Sequence, residues 1–117
     1  MFKVIIAGSR GFQNYEFLEK TMDNLLVNQQ DVAVVCGMAR GADSLGEAYA
    51  KVRGYPVHYF PADWEKFGKS AGYKRNEQMA QNADALVAFW NGNSRGTKHM
   101  IDLAYKYNLK VRVIRYE

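Results

Sequence analysis

Five short apolar runs, the first four each followed by a segment with apolar residues at helical spacing, predict an α/β domain. The expected architecture is an open, mostly parallel five-stranded sheet with helices on both faces. The first run, Phe2 to Ala7, is almost continuously apolar, as in a strand covered on both faces. Strand and helix patterns alternate as βαβαβαβαβ from end to end, without repeats, low-complexity tracts or linkers. The chain has 117 residues, enough for one core and not two, so residues 1–117 are read as a single domain.

Taken in order, Phe2 to Ala7 is the first strand. Asn14 is placed to cap a helix from Tyr15 to Gln30, with Phe17, Leu18, Met22, Leu25 and Leu26 on one stripe. Val32 to Cys36 is the second strand. Gly41 to Arg53 is the second helix, with Ala42, Leu45, Ala48, Tyr49 and Val52 expected inward and Gly54 as the stop. Tyr55 to Phe60, bounded by Pro56 and Pro61, is the third strand. The segment from Ala62 to Lys69 reads as irregular and leads into a helix from Ser70 to Asn82. Ala85 to Trp90 is the fourth strand, Gly96 to Asn108 the last helix, and Lys110 to Arg115 the last strand.

Every strand but the last runs into a loop that carries glycine and a basic residue. These are Gly8-Ser9-Arg10-Gly11, Gly37-Met38-Ala39-Arg40-Gly41, the stretch holding Gly68-Lys69, Gly72 and Lys74-Arg75, and Gly92-Asn93-Ser94-Arg95-Gly96. In a parallel sheet all four lie on one edge, where open α/β folds bind ligands. Glycine lets backbone amides approach a phosphate, a helix N-terminus adds its dipole, and Arg or Lys adds charge-assisted bonds. Together they point to an anionic, nucleotide-like ligand.

Bulk composition is that of an ordinary soluble globular protein, 48% hydrophobic and 24% charged. A net charge of +4 suits nucleic acid or a small polyanion without choosing between them. The one cysteine, Cys36, leaves no internal disulfide and reads as a small core residue in a reducing cytosol. With no signal-like start and no apolar stretch near the roughly 20 residues needed to span a bilayer, the expected location is cytoplasmic.

Individual motifs narrow the chemistry. The first glycine loop is only loosely like G-x-G-x-x-G, and Cys36-Gly37 stands where an acidic ribose partner would end the second strand, which argues against a classical NAD oxidoreductase. The pattern G-x-x-x-x-G-K-[ST] is absent, which argues against an ATPase. Asp43, in the first turn of the second helix, either complements the helix dipole or accepts ribose hydroxyls. Trp64 and Tyr73, set among Lys69, Gly72, Arg75 and Asn76, suit base stacking beside phosphate contacts. Met79 reads as core and His58 as structural. His99 reads mainly as a helix-surface residue, with acid–base chemistry as the lesser reading. The two histidines have no ligand-spaced neighbours, so no metal and no resident cofactor is expected.

In order and spacing, Gly8-Ser9-Arg10, Gly37-x-x-Arg40-Gly41-x-Asp43, Trp64-x-x-x-Gly68-Lys69-x-Ala71-Gly72-x-x-Arg75-Asn76-x-x-Met79 and Gly96-Thr97 resemble the SLOG superfamily, in particular its small stand-alone YspA-like (YpsA-related) branch. The resemblance spans nearly the whole chain. It implies a Rossmann-like sheet that binds nucleotides, nucleotide-sugars or NAD-derived signals, with homo-oligomers common. Tyr105 and Tyr107 on the last helix are the expected exposed aromatics for such an interface. The superfamily also holds the Lonely Guy phosphoribohydrolases, whose P-G-G-x-G-T-x-x-E loop supplies a catalytic Glu. Here Gly96-Thr97 match that loop, but Met100 occupies the glutamate position and the preceding Pro-Gly-Gly is missing. Methionine can neither position water nor stabilise oxocarbenium-like charge, which favours a binder over an enzyme. Asp43, Glu77 and Asp102 are the carboxylates left to substitute. The superfamily's DNA-processing protein A group makes single-stranded nucleic acid a further alternative.

The reading that results is a module that senses or sequesters a phosphorylated nucleoside derivative. Backbone amides of the Gly8 and Gly96 loops and the side chains of Arg10, Arg40, Arg75 and Arg95 are assigned to phosphate. Ser9 and Thr97 add hydroxyls, Asp43 takes ribose, and Trp64 or Tyr73 stacks the base.

Overall fold

The computed structural model describes residues 1–116. Its strands are β1 (Phe2–Gly8), β2 (Val32–Cys36), β3 (Val57–Tyr59), β4 (Ala85–Trp90) and β5 (Lys110–Arg115). They form one sheet in the order β3-β2-β1-β4-β5, and every pairing is parallel. The helices are α1 (Tyr15–Leu26), α2 (Ala42–Arg53), the single turn α3 (Trp64–Phe67), α4 (Ala71–Gln81) and α5 (Arg95–Lys106).

Side chains of β1 alternate between two cores. Val4 and Ile6 point to one face, where Leu18 and Met22 of α1 and Tyr49 of α2 are buried. Ile5 and Ala7 point to the other, against Met79 and Ala80 of α4 and Met100, Ile101 and Ala104 of α5. The domain is therefore a three-layer Rossmann-like sandwich. The chain reverses direction across the sheet between β1 and β4, so the carboxyl ends of those two strands bracket the switch point.

Several boundaries differ from the sequence-based expectation. Helix α1 ends at Leu26, four residues early; Gln29 N–H donates to the Leu26 carbonyl and Asp31 adopts φ 55° to turn into β2. The segment expected to be irregular contains α3, because the Asp63 carboxylate accepts from the Lys66 amide at 3.1 Å and caps it. A 3-10 turn at Gly68–Ser70 then leads into α4. On α2 the apolar stripe is rotated: Ala42, Gly46, Tyr49 and Ala50 are buried, whereas Ala48 is exposed and Val52 is 63% exposed. The cause is Gly46, where an added Cβ would sit 2.8 Å from Ile6, so α2 rides close on β1 at that residue. Phe17, expected on the inward stripe of α1, is 38% exposed yet still meets Phe89 edge-on and lies tilted beside Phe12.

Among the described residues, no helix is long and apolar enough to cross a membrane. Cys36 is buried, and desolvation pushes its thiol up to about 11, which agrees with a core role.

Candidate functional site

The loop after β1 is a tight turn closed by Phe12 N–H on the Ser9 carbonyl at 3.1 Å. Phe12 is buried and stacks on Phe89 with centroids 4.9 Å apart, so it pins the turn to the sheet and leaves Arg10 projecting outward. Ser9 is buried and committed to the fold. Its amide donates to the Phe89 carbonyl, and its Oγ accepts from the Asn91 amide at 3.2 Å, tying the β1 and β4 loops together. Gly41 starts α2 at φ 75°, with an added Cβ falling 2.3 Å from the Ser9 carbonyl oxygen. Only glycine lets these two loops touch.

Arg75 and Asn76, at the start of α4, bind the other loops into one unit. The Arg75 guanidinium donates to the Gly37 carbonyl and, through Nε, to Asn76 Oδ1 at 3.0 Å. Asn76 is buried, and its Nδ2 faces the Gly96 carbonyl at 3.4 Å and His99 Nδ1 at 3.2 Å. Since Nδ2 is a donor, His99 Nδ1 accepts, which places the ring proton on Nε2. Burial lowers the His99 pKa below its usual 6.5, so the ring is neutral at pH 7. Tyr73 meets the same ring edge-on, with centroids 4.6 Å apart. His99 is thus half-buried against α4, not the free helix-surface residue expected. Its i, i+3 and i+2 offsets from Gly96 and Thr97 held no signal without the position of α4.

These elements enclose a cleft of about 760 Å³ at the carboxyl edge of the sheet. Its volume is in the range of small-molecule sites. Arg10, Arg40, Lys69 and Arg75 supply four cations to its lining, and no carboxylate among the described residues lines it. Trp64, 57% exposed, and Tyr73 stand at its rim. Gly37, Gly72, Asn76 and Gly96 complete the wall.

A smaller pocket of about 100 Å³, lined in large part by buried residues, adjoins the cleft. Arg10, Ala39, Arg75, Asn76 and Gly96 line both spaces and form the neck between them. Below the neck are Gly8, Asp43, Thr97, Met79 and Met100. Thr97 is buried and shares a hydroxyl contact of 2.9 Å with Ser94, the α5 cap. Asp43 is only 6% exposed. Burial raises its pKa to about 6, with Arg75 and the amides of Ala39 and Gly37 partly offsetting the cost of the charge.

Of the residues singled out from sequence, the structure brings Gly8, Arg10, Gly37, Arg40, Asp43, Trp64, Lys69, Gly72, Tyr73, Arg75, Asn76, Gly96 and Thr97 to these two spaces. Ser9 and Gly41 support the walls without lining them. Arg95 is exposed at the first position of α5 and lines neither space. The remaining carboxylates are engaged elsewhere: Glu77 accepts from the Tyr107 hydroxyl at 3.0 Å, and Asp102 pairs with Lys98 at 2.9 Å. Tyr107 also accepts from Gln81, so it is tied to α4; only Tyr105, at 62% exposure, remains as the outward aromatic. No group of metal-ligating side chains occurs among the described residues.

A parallel α/β sheet with a cleft at its carboxyl edge defines a Rossmann-like architecture. The model of the YspA, cpYpsA-related SLOG family matches residues 2–67, and the chain belongs to that family. Gene 61 protein of Mycobacterium phage D29 is 36% identical over 118 residues, covering 95% of this chain and 94% of the relative. Among solved structures, DNA processing protein A from Streptococcus pneumoniae superposes with a TM-score of 0.80 at 17% identity, over 100% of this chain and 51% of that one. The chain thus spans about half the length of that protein. TM1055 superposes with a TM-score of 0.70 at 22% identity, over 95% of this chain and 72% of that one. Both structural likenesses speak for the fold.

Proposed function

We propose that this protein binds a phosphorylated nucleoside or NAD-derived nucleotide in the cleft at the carboxyl edge of the sheet, and so senses or sequesters a nucleotide signal. One observation carries the reading: four cations from three separate stretches of the chain, the loops after β1 and β2 and the segment after β3, line a cleft that has no carboxylate among the described residues and two aromatics at its mouth. A structural surface has no need of that convergence. Like charges gathered on one lining, offset in part by Asp43 beside Arg75, cost stability, and an anionic ligand removes the cost. Trp64 and Tyr73 offer faces on which a base stacks. At the neck, Gly96 lies in the first turn of α5, whose early amides have no partner in the helical ladder and favour an anion.

Titration calorimetry against a panel of nucleoside mono- and diphosphates tests this. Binding in the micromolar range that resists moderate salt supports it. Absence of nucleotide binding, or tight salt-resistant binding of single-stranded DNA instead, overturns it.

A second reading, cleavage of a nucleotide N-glycosidic bond, is favoured by Asp43. Among the described residues it is the one carboxylate in either space, and a pKa of about 6 suits acid–base work near neutral pH. Against it, Met100 stands buried on the same inner wall, where an apolar thioether cannot handle a proton. Chromatography of the ligand after hours of incubation separates the two: intact nucleotide means binding, and free base that disappears in Asp43→Asn means hydrolysis.

A further inference from the structure

The side-chain amide of Asn76 joins the cleft to a ring outside it. Asn76 is buried, and the polarity of its hydrogen bonds is dictated by its partners. Arg75 Nε has only a proton to offer, so the atom it meets at 3.0 Å is Asn76 Oδ1. The Gly96 carbonyl has only lone pairs, so the atom 3.4 Å from it is Nδ2. Nδ2 therefore also points a proton at His99 Nδ1, 3.2 Å away, and that nitrogen has to be bare. His99 lines neither space, yet it decides which way the Asn76 amide can face.

A proton on His99 Nδ1 breaks this arrangement, because two donors then meet. Turning the amide over satisfies the ring, but it sets Nδ2 against Arg75 Nε–H and Oδ1 against the Gly96 carbonyl. In either case Arg75 loses Asn76 as a well-placed acceptor and keeps only the Gly37 carbonyl. The charged groups that act on the ring are Asp102 of α5 and Glu77 of α4, and both favour its protonated form. Asp102 is paired with Lys98, Glu77 accepts from Tyr107, and Tyr73 of α4 covers the ring edge-on. Burial outweighs the two carboxylates and holds His99 below 6.5.

We infer that His99 is a positioning residue: through Asn76 its neutral ring holds the Arg75 guanidinium at the cleft wall, and protonation of the ring releases it. Acidification then loosens one of the four cations that line the cleft. The consequence for affinity rests on the nucleotide-binding reading and deepens it; the relay itself stands apart from that reading.

Two measurements test this. The first is NMR of the ligand-free wild-type protein from pH 8 to pH 5. The His99 ring is expected as the Nε2–H tautomer at pH 8, with the Asn76 side-chain amide and Arg75 Nε–H signals moving at the His99 midpoint. His99→Asn places a non-titrating acceptor near the position of Nδ1 and is expected to abolish that step. An Nδ1–H tautomer at pH 8, or Asn76 and Arg75 signals indifferent to the His99 midpoint, overturns the relay without need of a variant. The second is calorimetry with the terminal methyl ester of ADP, whose charge is constant over this range. Relative to His99→Asn, wild-type affinity is expected to fall roughly three- to tenfold by pH 5, the worth of about one hydrogen bond. Taking the difference from the variant cancels Asp43, which titrates near 6 in both proteins. By reciprocity, saturating probe should lower the His99 midpoint in the wild-type chain. Plain attraction between an imidazolium and the anion does the reverse, so a raised midpoint or tighter binding at pH 5 than in His99→Asn overturns the proposal, as do identical pH profiles. A probe that binds at no pH overturns the nucleotide reading, and the NMR titration alone then decides the relay.

Discussion

Replacing Asp43 by Asn should make this protein more stable at neutral pH, and the size of the gain follows from where the carboxylate sits. Burial raises its pKa from 3.8 to about 6 in the fold. A carboxyl group with a raised folded-state pKa favours folding while it is protonated. That contribution is whole below pH 3.8, where the unfolded chain is protonated too, and it is lost as pH rises through about 6. At roughly 1.4 kcal/mol per pH unit, ionised Asp43 costs about 3 kcal/mol above pH 7. Asparagine keeps the shape and an oxygen for the Ala39 amide but carries no charge, so the variant escapes most of that cost. For a chain of this size, about 3 kcal/mol corresponds to roughly 10 °C in Tm. The assay is thermal unfolding of wild type and variant from pH 4 to pH 8, read as the difference between them so that other titrating groups cancel. The gap should be small near pH 4, open through about pH 6 and level off above pH 7. A gap that is constant with pH, or a variant less stable at pH 8, would refute the account of Asp43 as a group held at the expense of stability. A residue kept under that penalty beside a cleft is a functional-site candidate on physical grounds.

Three further outcomes are expected. Arg10→Ala should weaken nucleotide binding by roughly ten- to a hundredfold, the loss of one charge-assisted contact, with Tm unchanged because Arg10 projects from a turn that Phe12 anchors; wild-type affinity by calorimetry would take the anion away from the neck. Arg75→Ala should weaken binding at least as much and also lower Tm, since it removes the donor to Gly37 and Asn76. Gly41→Ala should cost at least the roughly 1–3 kcal/mol of a strained backbone, because φ is 75° and its Cβ would strike the Ser9 carbonyl oxygen, 2.3 Å away; a Tm equal to wild type in a thermal melt would contradict the close contact of the two loops.

The sequence alone determined the sheet, its parallel sense and the edge on which the loops with glycine and a cation gather. Those properties rest on local signals: apolar runs such as Val4 to Ala7, a stop at Gly54, a cap at Asn14, and glycine with a cation after each of the first four strands. Strands β4 and β5 begin and end where the pattern puts them, because turn residues flank both. Tertiary structure alone decided how the gathered residues divide their work. Ser9 and Arg10 are neighbours in sequence, yet one is spent tying β1 to β4 and the other is free, since only the sheet brings the Phe89 carbonyl and the Asn91 amide to Ser9. Val52 had the right spacing to be buried and is exposed, because Gly46 sets the closest approach of α2 to the sheet. His99 and Asn76 meet only because α4 packs on α5, a contact between residues 23 positions apart that no periodicity encodes. The split between a cationic cleft and a lower pocket holding Asp43 arises in the same way. It depends on distances between loops from opposite sides of the switch point, and burial, not residue type, is what lifts the Asp43 carboxyl toward pH 6.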